Sequence, residues 1–116
     1  MAVLGFSEDA QDVVSFRKAI FRMILSRAKS HLTDPSDINE LNASQAAEGI
    51  SFDLLEADQR ARLVEAVYHG TRDLKREVDE GKTTEEPVRA GIEEKLDEIL
   101  ALLSRFRRED RETPSR

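Results

Sequence analysis

Residues 13–32 read VVSFRKAIFRMILSRAKSHL, and the period assigned to this stretch decides the fold. At about 100° per residue, Val13, Phe16, Ile20, Phe21, Met23, Ile24, Leu25, Ala28 and Leu32 sweep well over half of a helical circumference. Lys18, Arg22, Ser26 and Lys29 take the narrow remainder. Upstream, Ser7 is placed to cap a helix, with Glu8 and Asp9 in its first turn, where carboxylates favour the helix dipole. The spacing therefore predicts one long helix over about 8–32, preceded by an apolar arm, Met1–Phe6. So apolar a helix needs two covered faces, one of them supplied either by the rest of the bundle or by a second chain. Arg17 interrupts the apolar arc and calls for an internal ion pair or a route to the edge.

Downstream, two stretches keep heptad spacing. Val64, Val67, Thr71, Leu74 and Val78 form one seam, and Ile92, Leu96, Ile99, Leu103 and Phe106 form the other. Gly81 stops the first, and Thr83, Thr84, Glu85, Glu86 and Pro87 read as the cap and first turn of the next. The two are expected to be an antiparallel hairpin of helices over about 54–79 and 85–108, with Thr71 opposite Leu96. Gly70 lies within the seam, where the absence of a side chain suits a close approach by another backbone, that of the first helix. Asp34-Pro35 starts a short helical connector over about 35–49. The expected fold is thus an all-α single domain, 1–108, with three long helices and that connector, followed by a disordered tail, 109–116.

Composition narrows the function classes. The chain has 116 residues, 36% of them charged, with five Gly and three Pro, which suits solvated helices better than a turn-rich β fold. A net charge of −6 disfavours nucleic-acid binding, which needs a basic footprint. The absence of cysteine excludes disulfides, thiolate metal sites and cysteine nucleophiles. Arg17, Lys18, Arg22 and Arg27 break the most apolar stretch, so neither a signal peptide nor a membrane span is expected, and the expected location is cytoplasmic. Charge is also segregated: 34–58 contains Asp34, Asp37, Glu40, Glu48, Asp53, Glu56 and Asp58 and no Lys or Arg. Neutralisation of the basic first helix by this segment is the expected outcome, and steering of a charged partner is the alternative.

No catalytic grouping is legible. There is no Gly-rich phosphate loop, no Gly-x-Ser-x-Gly elbow, no His-Glu-x-x-His and no Glu-x-x-His. Glu65, His69 and Asp73 share one helical face, and His31 lies at the end of the first helix; solvation and helix-end roles are expected for them. No catalytic residue, cofactor or metal site is therefore assigned. The sequence points to a non-enzymatic helical interaction module that associates with itself or another protein, with Phe16, Phe21, Met23 and Leu102 facing the partner. An acidic inhibitor or immunity-type protein covering a basic surface is the alternative.

Overall fold

The structure, a computed structural model, describes residues 1–81 and 91–112, with side chains described through Arg107. It is a mixed α/β fold, which corrects the expected all-α bundle. Three short strands, β1 (Ala2–Gly5), β2 (Val13–Phe16) and β3 (Gly49–Ser51), form one sheet in the order β2-β1-β3. β1 pairs with β2 antiparallel and with β3 parallel. The helices are α1 (Lys18–Lys29), α2 (Pro35–Ala47), α3 (Ala57–Asp79) and α4 (Ile92–Glu112). Single 3-10 turns, Ala10–Asp12 and Phe52–Leu54, link strands to what surrounds them.

The correction has a specific cause. Val13 and Phe16 are three residues apart, so a helical wheel accepts both. Val14 and Phe16 are two apart, and this is the period that wins: Val14 and Phe16 are buried while Ser15 between them is exposed. Two adjacent β-branched residues favour the pleated conformation. Ser7 is not a helix cap either. Its Oγ accepts from the Asp9 N–H at 3.1 Å and donates to Asp12 Oδ2 at 2.7 Å, closing the loop of a β1–β2 hairpin. α1 therefore begins only at Lys18, with Arg17 in extended conformation (φ −68°, ψ 143°) at its N-cap.

Shortening α1 also resolves its over-wide apolar arc. Ile20, Phe21, Ile24, Leu25 and Ala28 are buried. α3 packs along α1, α2 also contacts it, and Phe16 of β2 meets Phe21 edge-on at 5.8 Å. The buried residues of α1 are thus covered within one chain.

The α3–α4 pair is present. Val64, Val67, Thr71, Leu74 and Val78 on α3 and Ile92, Leu96, Ile99 and Leu103 on α4 are all buried. Ion pairs Lys75–Asp97 and Glu65–Arg107 run in opposite senses along the two helices, as an antiparallel pair requires. The predicted cap around Thr83–Pro87 and the first part of the predicted helix, 85–90, lie outside the described residues. α4 continues to Glu112, so only 113–116 of the expected tail fall beyond it, and these too are outside the described residues. α2 ends at Glu48, which takes a left-handed conformation (φ 62°) and turns the chain into β3.

Gly70 marks a close approach of α3 to α1. A Cβ there would stand 2.7 Å from the Ala28 nitrogen and 2.8 Å from the Ile24 oxygen, both backbone atoms of α1. The core continues into a stack of three phenylalanines, Phe6 lying between Phe52 (4.6 Å) and Phe106 (3.9 Å).

Candidate functional site

Backbone parity shows what the sheet leaves open. The Val3 N–H donates to the Glu48 oxygen at 3.2 Å, so Val3 directs its amide groups toward β3. Ala2 and Leu4 then direct theirs toward β2, where their partners are Phe16 and Val14. The Phe6 N–H donates to the Asp12 oxygen at 3.0 Å, which continues the same alternation one pair further. Asp12, Val14 and Phe16 therefore bond inward, and Val13 and Ser15 direct their backbone outward. The Val13 N–H is taken by the Ala10 oxygen in the 3-10 turn. Among the described residues no backbone group meets the Val13 carbonyl or either backbone group of Ser15, which form an open edge.

Nothing in the strand guards that edge. Natural edge strands carry Lys, Pro or bulges to block unwanted pairing. Val13–Phe16 carries no charge and no proline, and it pairs with β1 without a bulge. Beside it runs a groove of about 370 Å³ between β2 and α4. Val13 and Val14 line the strand side, and Ala101 and Leu102 line the helix side. Glu98 and Arg105 stand on the rim, and Arg105 is ion-paired with Asp12.

The four residues expected at a partner surface fare differently. Phe16, Phe21 and Leu102 are buried in the core of a single chain, and Met23 is half-buried against it. Only Leu102 also lines the groove, as part of its floor. Sequence reasoning missed Val13, Ser15 and the Asp12–Arg105 clasp. The available signal was the alternation in Val-Val-Ser-Phe, bracketed by Asp12 and Arg17.

The histidines come together, which the sequence did not suggest. The His31 Nε2 lies 2.7 Å from Asp73 Oδ2, the His69 Nε2 lies 3.4 Å from Glu65 Oε1, and the two rings are 5.4 Å apart. They border a pocket of about 450 Å³ that also meets Leu32, Ala61 and Ala66. Each carboxylate is shared with a cation, Asp73 with Arg76 and Glu65 with Arg107. Among the described residues no group of three or more His, Cys, Asp or Glu is placed to hold a metal ion. The two imidazoles, their carboxylates and the two arginines form one polar network on the rim of this pocket.

The acidic segment is largely engaged. Asp34 caps α2 by accepting from the Ser36 N–H at 2.9 Å. Glu48 pairs with Lys18 at 2.9 Å, a link between this segment and the basic face of α1 of the kind that the sequence reading anticipates. Arg27 pairs instead with Glu77 on α3, at 2.6 and 2.7 Å. Asp37, 1% exposed, accepts from Arg62 at 2.7 and 3.2 Å and from Gln59 at 3.2 Å.

The Arg62 bonds hold the Asp37 carboxyl below its ordinary value, against the opposing effect of burial. A carboxyl whose pKa is depressed by folding stabilises the fold above its unfolded pKa, and that contribution disappears as pH falls through the folded value. The urea midpoint is therefore expected to drop below about pH 4, and Asp37→Asn is expected to flatten that acid limb while lowering the midpoint at neutral pH. Equal acid slopes for the two proteins would remove Asp37 as the cause.

No family model, no curated protein and no solved structure matches this chain. Among the described residues no helix is long and apolar enough to cross a membrane.

Proposed function

We propose that this chain is a non-enzymatic protein–protein interaction module that adds an extended segment to the open edge of β2. The outward, unguarded backbone of Ser15 beside the β2–α4 groove carries this reading. Strand addition draws affinity from main-chain hydrogen bonds and specificity from alternate side chains. The Val13 carbonyl and the Ser15 amide group supply the first, and the groove floor at Val14, Ala101 and Leu102 receives the second. The rim charges, Glu98 and Arg105, set direction and register.

An acidic inhibitor draws less support, because Asp34, Asp37 and Glu48 are committed within the chain.

The test is a selection of extended peptides from a random library against the immobilised protein and its Ser15→Pro variant. Proline at 15 removes an outward N–H and no bond of the β1–β2 ladder, and proline is accepted on edge strands in that position. Peptides rich in β-branched residues are expected to bind the wild type and to be lost on Ser15→Pro, with the circular dichroism spectrum unchanged. Peptides that bind both proteins equally would contradict the reading.

A further inference from the structure

We propose that the occupant of the β2 edge is β2 of a second copy of this chain, paired antiparallel about a two-fold axis at Ser15. The inference rests on the strand-addition reading above and names its partner.

Parity fixes the register. In an antiparallel ladder, residues opposite one another either both direct their amide groups inward or both direct them away. Outward residues of one copy must therefore face outward residues of the other. An axis at Ser15 sets Ser15 against Ser15 and Val13 against Arg17. The two Ser15 residues then exchange both N–H···O=C bonds across the axis. An axis at Val14 leaves no pair that exchanges both bonds, because Val13 then faces Ser15 and the Val13 N–H is already donated to the Ala10 oxygen, and it sets the apolar Phe16 against Asp12.

The side chains agree with the Ser15 register. On the core face, Val14 of one copy lies opposite Phe16 of the other, so apolar meets apolar. On the outer face the exposed Ser15 side chains meet on the axis, where their small size permits close strands.

α4 gives independent support. A two-fold axis normal to the sheet sets the α4 helices of the two copies antiparallel along the merged groove. Glu98 and Arg105 stand seven positions apart on the groove rim, with Ala101 and Leu102 midway between them. Antiparallel contact about that midpoint brings Glu98 of each copy to Arg105 of the other. The five-donor fork of Arg105 can hold this second carboxylate beside Asp12. A surface that is its own complement under two-fold rotation is what an isologous dimer requires.

Sedimentation equilibrium tests the pairing on the full chain, alongside two single substitutions. Wild type is expected to pass from 13.1 kDa to twice that mass as concentration rises. Ser15→Lys puts two like charges on the axis and is expected to stay monomeric over the same range, with unchanged thermal unfolding in dilute solution. Opposed residues of a hydrogen-bonded pair have Cα atoms about 5.5 Å apart, within disulfide reach. Because the chain has no cysteine of its own, Ser15→Cys is expected to oxidise to a covalent dimer, and Ser26→Cys, on an exposed position of α1, is not. A dimer that survives Ser15→Lys overturns the inference by locating the interface elsewhere. A chain monomeric to its solubility limit, with Ser15→Cys no faster to oxidise than Ser26→Cys, also overturns it. In that second case the peptide selection decides separately: Ser15-dependent peptides uphold strand addition with a different partner, and their absence removes both.

Discussion

Replacing Gly70 with alanine is expected to lower the thermal midpoint by about 8 °C, measured by circular dichroism. On propensity alone the change favours the helix, since Ala exceeds Gly by about 1 kcal/mol in a helix interior. Packing decides the sign. The new Cβ would lie 2.7, 2.8 and 3.0 Å from Ala28 N, Ile24 O and Ala28 Cα. All three are backbone atoms of α1, so no side-chain rotation relieves the clash and the helix must shift as a body. Overpacking of this kind costs about 3 kcal/mol, leaving a net loss of about 2 kcal/mol. In a chain of this size each kcal/mol moves the midpoint by about 4 °C. Gly70→Leu is expected to be worse, because the branched side chain has no space between α1 and α3. An unchanged midpoint for Gly70→Ala would mean that α1 does not approach α3 at this point.

Phe6→Ala is expected to cost about 3–5 kcal/mol, read as a fall in the urea midpoint with no change in slope. Phe6 follows β1 directly and its ring is stacked on both sides, at 4.6 Å on Phe52 and 3.9 Å on Phe106. Phe52 is fully buried in the 3-10 turn after β3, and Phe106 belongs to the C-terminal half of α4. Removing the middle ring leaves a cavity that neither outer ring can close without moving its own element. Phe6→Leu is expected to recover part of the loss, because it restores volume without the aromatic contacts. Association through β2 should weaken as well, since the stack helps to fix α4 beside the strand that it flanks. A Phe6→Ala protein as stable as wild type would contradict the three-ring stack as the link between sheet and α4.

The helical half of this fold was legible and the sheet was not. Heptad spacing located α3 and α4 because each buries a regular stripe over many residues, a strong periodic signal. Gly70 was legible too, since a glycine inside an apolar seam has few uses other than close packing. The strands were missed because each spans three or four residues. Over so short a stretch, Val13 and Phe16 fit a helical face as well as Val14 and Phe16 fit a strand face, and the continuous apolar run into Ile20 tipped the balance. Met1–Phe6 read as an arm because its pairing partners lie elsewhere in the chain, at Val13–Phe16 and Gly49–Ser51. That one error produced the others. A first helix extended back to residue 8 has too wide an apolar face, and such a face calls for a partner at Phe16, Phe21 and Met23. In the structure these residues are core or packed against it, and the open surface is the backbone of the strand that had been read as helix. Backbone hydrogen-bond parity leaves no trace in residue type, so the edge at Ser15 could be found only once the pairing was known.

Amide hydrogen exchange of Val14, Ser15 and Phe16 as a function of protein concentration tests the open edge most directly. In dilute protein Val14 and Phe16 are expected to exchange slowly, through their bonds to β1, and Ser15 to exchange freely. As concentration rises, Ser15 is expected to become protected while the other two stay as they were. Equal protection of all three residues in dilute protein, or a Ser15 amide indifferent to concentration, would contradict the account.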